Sequence, residues 1–162
     1  NGHIQDLPTK GKDGSKALWS HKKGNLPDPP WNWTARAEKN VKRIISDSRR
    51  KKVDRVLIAT DPDREGEFIA WRLAELPSDF GEVQRITFNE ITKSAIRDAL
   101  ESAGTVDMNL VDAAKVRRFM DRLIGYRTSR FSRSWSLSSM GRVQTPTLAF
   151  VVDREKKIQN FD

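Results

Sequence analysis

The sequence predicts an α/β fold, in which a parallel sheet flanked by helices is followed by a mainly α-helical segment. Helix and strand patterns alternate between residues 35 and 102, as they do in parallel sheets. A continuous apolar run over residues 56–59 is typical of a strand buried on both faces. After Gly104 only helical patterns remain. We therefore expect a first domain over residues 1–104 and the beginning of a second over residues 105–162.

The N-terminal region predicts little regular structure. Residues 10–34 are rich in Lys, Gly, Pro and Asp, which favours a long loop or insertion. We expect its tryptophans, Trp19, Trp31 and Trp33, to anchor this segment to the core. The chain starts Asn-Gly-His-Ile, with neither Met nor a signal-peptide pattern. We read this as a start within a longer protein, with at least one further strand upstream of Asn1.

The first domain contains five predicted elements. They are a helix over residues 35–50, a strand over 53–60, a helix over 64–76, a strand over 83–88 and a helix over 92–102. Thr34 is expected to cap the first helix, and four positive charges at residues 49–52 suit its C-terminus. Asp61 and Pro62 are expected to be the cap and first turn of the second helix.

The second domain is predicted to contain two helices. The first runs over residues 108–124 and is expected to end at Gly125 and Tyr126. The second begins at Thr145 or Pro146 and runs towards Ile158. Apolar residues at helical spacing lie on one side of the first helix, namely Val116, Phe119, Met120, Leu123 and Ile124. Of these, Phe119, Met120 and Leu123 are assigned to the core.

Charge and composition favour a polyanion as the partner. The net charge is +8, and the basic segment, residues 115–142, carries eight Lys or Arg against one acid, Asp121. A solvated helix face would usually mix both signs, so nucleic acid is the favoured interpretation. Because the sequence has no cysteine, we expect no zinc finger. Because it has no run of eighteen apolar residues, we expect no membrane span. A reducing, cytoplasmic setting fits this composition.

The acidic segment, residues 61–67, is the candidate metal site. Its four carboxylates, Asp61, Asp63, Glu65 and Glu67, follow a predicted buried strand, at the sheet edge where ligands bind in α/β folds. They repel one another, and a helix N-terminus, Arg64 and a hard cation such as Mg²⁺ would offset this. The alternative is a capped helix with solvated acids. Gly66 permits close approach of a backbone or phosphate, or is a packing glycine.

Two metal-dependent chemistries fit the acidic segment on this evidence. One is phosphoryl transfer or phosphodiester cleavage, and the other is nucleotide-sugar transfer at a D-x-D site. The basic segment downstream favours phosphodiester chemistry.

Several motifs together resemble one family. Residues 59–73, ATDPDREGEFIAWRL, resemble the acidic motif of TOPRIM domains in the form found in type IA DNA topoisomerases. FNEIT at residues 88–92 resembles that family's next motif, and GHIQDLP at residues 2–8 resembles a strand and loop near the start of TOPRIM. RRFMDRLIGY at residues 117–126 and SSMGRVQTPTLAFVVDRE at residues 138–155 resemble the first helices of its single-strand-binding domain. Within the second segment, the sequence MGRVQTPTL is similar to that of archaeal members.

The resemblance implies a Rossmann-like TOPRIM sheet and an enzyme that relaxes DNA by transient single-strand cleavage, strand passage and religation with Mg²⁺. It implies metal binding by Asp61, Asp63 and Glu65, with Glu65 also supporting catalysis. It implies a monomer that binds chiefly single-stranded DNA. The positions that match its DNA groove are His3, Arg117, Arg118, Asp121, Arg122, Tyr126, Ser139, Met140, Gly141, Arg142, Val143 and Gln144.

Two residues of the family's chemistry are missing from this chain, namely a glutamate on the first TOPRIM strand and the nucleophilic tyrosine. Tyr126 is the only tyrosine, and it lies outside the nucleophile's motif, so we expect the chain alone to bind single strands weakly and relax nothing. A non-catalytic nucleic-acid-binding module and a metal-dependent TOPRIM phosphodiesterase remain as alternatives. The parent could be a relaxing enzyme, a decatenase-like relative or the topoisomerase half of a reverse gyrase.

Overall fold

The computed structural model describes residues 4–7, 31–76, 81–137 and 140–161. It divides into two compact units, Asn1–Ala113 and Ala114–Asp162, and the division falls inside a helix. Most of the predicted insertion at residues 10–34 lies outside the described residues. The elements are β1 (Gln5–Asp6), β2 (Asn32–Trp33), α1 (Ala35–Lys51), β3 (Arg55–Ile58), α2 (Arg64–Ala74), β4 (Glu82–Arg85), α3 (Lys93–Glu101), α4 (Met108–Arg133) and α5 (Gln144–Gln159).

The predicted parallel strand pair is present in the first unit. β3 and β4 are parallel, with Val56 opposite Val83 and Ile58 opposite Arg85. Helix α2 connects them, because parallel neighbours need a crossover. Both strands are shorter than predicted. β1 and β2 form a separate antiparallel pair that the sequence patterns did not indicate. The fold class is therefore α/β, as predicted.

Helix α1 begins and ends as the sequence predicts. The Thr34 side chain caps it by accepting a hydrogen bond from the Ala37 amide. Three basic residues occupy the last turn, and Lys52 closes the helix in the left-handed conformation at φ 50°. Ala37 and Val41 are buried. Here local signals and the hydrophobic stripe agree, which explains the accurate prediction.

The cap of α2 differs from the prediction. Asp63, not Asp61, is the N-cap, and its carboxylate accepts a hydrogen bond from the Gly66 amide at 2.7 Å. The extended backbone of Asp63 places its side chain over the first turn, three residues before the amide that it caps. Phe68 is buried behind this turn and makes an edge-to-face ring contact with Trp31 at 4.9 Å. The expected anchoring role of Trp31 is confirmed, while Trp19 lies outside the described residues.

The second unit shows that Gly125 does not end α4. The helix continues to Arg133, because a helical glycine costs only about 1 kcal/mol relative to alanine. The Thr128 hydroxyl donates to the Ile124 carbonyl at 2.8 Å within this continuous helix. Helix α5 begins at Gln144, with Pro146 in its first turn, where no amide donor is needed.

The assignment of Phe119, Met120 and Leu123 to the core was wrong in part. Met120 is 43% exposed, whereas Phe119 and Leu123 are half-buried; Val116, on the same stripe, is 57% exposed. Helical spacing placed these residues on one stripe, but only packing decides how much of a stripe is covered. No helix in the described parts of the chain is long and apolar enough to cross a membrane.

Candidate functional site

The acidic segment lies between the end of β3 and the first turn of α2. The side chains of Asp61 and Asp63 are exposed, and Glu65 is half-buried in the first turn of the helix. The partial positive charge of the helix N-terminus favours Asp63 and Glu65 in this position. Short-range geometry thus offsets part of the repulsion that the sequence implied.

Gly66 is where the loop and the helix meet most closely. A Cβ atom at this position would lie 2.0 Å from the Asp61 carbonyl oxygen, which no side chain tolerates. The Thr60 hydroxyl donates to the Gly66 carbonyl at 2.7 Å and closes the loop from the other side. Of the interpretations left open, close approach of backbone is the one that the structure shows.

Glu67 does not join the other three acids. It is 3% exposed, and one oxygen accepts a 2.8 Å hydrogen bond from Arg85 Nε while the other accepts from the Asp107 amide at 3.0 Å. The Arg85 guanidinium also donates to three carbonyls, those of Ile58, Ile86 and Asp61. Arg85 was not among the predicted site residues. Its only signal in the sequence was a cation inside the predicted strand at residues 83–88.

The carboxylates of the acidic segment suit a magnesium ion that keeps part of its water shell. They do not suit an ion that is enclosed by protein ligands alone. Within the described residues no three His, Cys, Asp or Glu side chains lie close enough to hold a metal ion together. Magnesium commonly needs only one or two carboxylates, with water and phosphate completing its shell. Asp61 and Asp63 are exposed carboxylates on a loop that Gly66 and Arg85 hold in place. These residues are therefore compatible with Mg²⁺.

The basic segment lies on α4 and on the turn before α5. Its exposed cations are Arg117, Arg127, Arg130, Arg133 and Arg142. Lys115, Arg118 and Arg122 are half-buried. Exposed guanidinium groups give bidentate contacts to phosphate and stack on bases, so this surface matches a nucleic-acid backbone chemically.

Asp121 brings two predicted DNA-contact residues together. Its Oδ1 accepts a 2.7 Å hydrogen bond from Arg142 Nε, and its Oδ2 lies 3.8 Å from Arg117 Nε. This ion pair raises the pKa of Arg142 above its usual value, because the hydrogen bond favours the charged guanidinium. Asp121 therefore orients these arginines, and the hydrogen bond itself holds Arg142 beside α4.

The turn at residues 140–142 is also fixed by the hydroxyls of α4. The Ser129 hydroxyl donates to the Met140 carbonyl at 3.1 Å and accepts from the Met140 amide at 3.3 Å. The Gly141 amide donates to the Thr145 hydroxyl at 3.2 Å. The backbone of this predicted contact loop is therefore held in place before any ligand binds.

Burial of the Arg118 side chain lowers its pKa to about 10, while the carboxylate of Asp121 opposes this change and the charge of Arg122 adds to it. A guanidinium that has lost water gains more from a neighbouring anion than an exposed one does. Arg118 stays positive at neutral pH.

The remaining predicted positions fall into two groups. Met140 and Gly141 are half-buried, and Val143 and Gln144 are exposed at the start of α5. His3, Ser139 and the side chain of Tyr126 lie outside the described residues.

Comparisons with known proteins give one consistent result. The Toprim domain family matches residues 1–91, and the DNA topoisomerase family matches residues 105–162. The chain is 38% identical to DNA topoisomerase 1 of Salmonella typhimurium, over 99% of this chain and 21% of that protein. It is 41% identical to DNA topoisomerase 1 of Aquifex aeolicus, over 99% of this chain and 28% of that protein.

A solved structure is similar along the same length. Full-length topoisomerase I from Thermotoga maritima matches 99% of this chain with a TM-score of 0.74 and 37% identity, and the chain covers 26% of it. The chain thus spans about a fifth to just over a quarter of the proteins that it resembles. All three relatives are bacterial, so they do not support the predicted similarity to archaeal members of the family.

Proposed function

The chain belongs to the type IA DNA topoisomerase family, and from this we propose that it is the part of such an enzyme that holds the metal-dependent acids and begins the single-strand groove. The parent protein would relax DNA by cutting one strand, passing another through the gap and resealing the break. Bacterial relatives named DNA topoisomerase 1 match 99% of this chain, which is the observation that carries the proposal.

Because no three of the described acids lie close enough to share a metal ion, Asp61 and Asp63 would hold Mg²⁺ in this scheme, and Glu65, the third predicted ligand, would support the chemistry. When bound, Mg²⁺ supplies positive charge next to a DNA phosphate and favours religation. Asp63 is also the N-cap of α2, and the hydrogen bond from the Gly66 amide fixes the position of its carboxylate. The protein's own contribution is to present these carboxylates on a backbone that does not need to rearrange.

The basic segment would bind the DNA backbone, chiefly as a single strand. Arg117 and Arg142 are held near Asp121, and Arg118 and Arg122 lie half-buried beside them in sequence. We assign the same groove to Tyr126, His3 and residues 139–144. One domain over residues 1–104 and a second from residue 105 accommodate the two roles. The parent would act as a monomer in the cytoplasm.

The binding assignment is tested by fluorescence anisotropy with a labelled single strand and the matching duplex across 50 to 300 mM salt. The logarithm of affinity should fall with the logarithm of salt by about 0.7 for each single-strand phosphate neutralised. Replacing Arg117 and Arg142 together by Gln should therefore lower the slope by about 1.4. Arg36→Gln with Arg43→Gln, two exposed α1 arginines, is the charge-matched control and should leave the slope unchanged.

The same purified chain separates the proposal from its alternatives. A flat salt profile, or equal slopes for both double variants, contradicts the groove assignment. DNA affinity that Asp61→Ala and Asp63→Ala leave intact and that does not depend on Mg²⁺ favours a binding module, whereas metal-dependent strand scission without a covalent adduct favours a phosphodiesterase. We expect no relaxation of supercoiled plasmid; relaxation that Tyr126→Phe abolishes would contradict that expectation.

A further inference from the structure

The buried pair of Arg85 and Glu67 is the strongest feature that the proposed function does not use. Both residues lie in the first unit and are almost completely buried, with side chains 3% and 4% exposed. Burying two charges costs several kcal/mol per ion unless their geometry is close to ideal and their other donors and acceptors are satisfied. The structure meets this condition, because four of the five guanidinium N–H donors have assigned acceptors.

The partners of Arg85 are all backbone or acid groups around one loop. Its Nη1 donates to the carbonyl of Ile58, the last residue of β3, at 3.1 Å. Its Nη2 donates to the carbonyl of Asp61, the first acid of the segment, at 3.0 Å. Arg85 itself ends β4, so one side chain spans from the sheet to the acidic loop. Lysine could not do this, since it has one nitrogen and no planar fork.

The Asp61 carbonyl is therefore held from two sides. On one side the Arg85 guanidinium donates a hydrogen bond to this oxygen. On the other side lies Gly66, which has no side chain, and a Cβ atom there would lie only 2.0 Å from the oxygen. Glu67 completes the arrangement by neutralising the guanidinium. An unpaired cation this near Asp61 would oppose binding of a second cation. The pair thus fixes the loop without adding net charge to it.

We propose that Arg85 is the positioning residue for the acids, holding the Asp61 backbone so that the carboxylates of Asp61 and Asp63 share one metal, with Glu67 keeping its charge neutral. The metal part rests on the proposed function, but the backbone part does not. The side chain acts through the Asp61 carbonyl and needs no contact with metal or DNA. This role lies with a residue 24 positions downstream of the acid that it orients.

The test uses Arg85→Lys in the full 162-residue chain, with Arg55→Lys, an exposed arginine of β3, as the matched control. Hydrogen–deuterium exchange is measured without metal, and Mg²⁺ affinity is measured separately by calorimetry. In Arg85→Lys the amides of residues 60–67 should exchange roughly tenfold faster relative to those of α1. Mg²⁺ affinity should fall roughly 10- to 100-fold, as when other outer-sphere partners are lost. The control should change neither.

A second variant separates position from charge. Glu67→Gln keeps the Arg85 hydrogen bond to the Asp61 carbonyl but removes the neutralising charge and one of the two acceptor oxygens, which serve Arg85 Nε and the Asp107 amide. Relative to α1, residues 60–67 should stay protected while Mg²⁺ affinity falls. This variant also serves if Arg85→Lys does not fold. An equal rise of exchange over the whole first unit in Arg85→Lys, or Mg²⁺ affinity unchanged in both variants, overturns the proposal. If even the parent chain binds no Mg²⁺ but loop exchange responds as expected, the positioning role stands and the metal assignment in the proposed function fails.

Discussion

The acidic loop and the basic segment are both polar, but the structure builds them in opposite ways. Around the acids the important contacts are buried, as in the pair of Glu67 and Arg85 with its backbone partners. In the basic segment the ion pairs of Asp121 are exposed, and its partners Arg117 and Arg142 keep 48% and 38% of their side-chain surface. One region therefore fixes atomic positions, while the other presents charge to solvent.

This difference has a physical consequence. A buried pair is screened little by salt, and losing one member leaves an uncompensated charge in the interior. An exposed pair contributes little to stability and is screened readily. The acidic region should thus respond strongly to mutation and weakly to salt, and the basic region should behave in the opposite way.

The largest expected effect comes from breaking the buried pair. Arg85→Leu should destabilise the chain by about 3 to 5 kcal/mol, because Glu67 stays buried without its partner. Urea denaturation followed by circular dichroism measures this. Arg50→Leu, which breaks the exposed pair with Asp47, should cost about 0 to 1 kcal/mol. Comparable losses in the two variants would remove the distinction between the regions.

A smaller and two-signed effect is expected at two glycines. Gly66→Ala should cost about 1 to 3 kcal/mol, since its Cβ would collide with the Asp61 carbonyl. Gly125→Ala should stabilise the chain by about 0.5 to 1 kcal/mol, because Gly125 lies inside α4 with open space where its Cβ would be. Thermal unfolding of both variants checks this. If Gly66→Ala raises the midpoint, the loop is not closed as described.

The smallest expected effect is that of pH on DNA binding. The lowered pKa of Arg118, about 10, means that it loses its proton near pH 10, and it stays almost fully charged at pH 8. The pKa of Arg142 is raised, so this residue stays charged throughout. Single-strand affinity should be flat from pH 6 to 8 and weaken only near pH 10. A tenfold change between pH 6 and 8 would require a group outside these arginines.

The sequence alone determined much of this protein. Alternating patterns gave the α/β class and the parallel pairing of β3 with β4, and the local capping signal of Thr34 gave the start of α1. The motifs identified the family, because their order along the chain is more specific than any one of them. These features depend on neighbours in sequence, so the chain displays them directly.

Tertiary structure decided the rest. The N-cap of α2 is Asp63 and not the predicted Asp61, because the close approach of Gly66 to the Asp61 carbonyl sets where the helix begins. Glu67 is not part of the acidic cluster, because it forms a buried pair with Arg85, which lies 18 residues downstream. Met120 matched a core pattern yet stayed exposed. Hydrophobic spacing and charge reveal which residues are able to pack or pair, but the partner that each one finds depends on which distant segments the fold brings beside it.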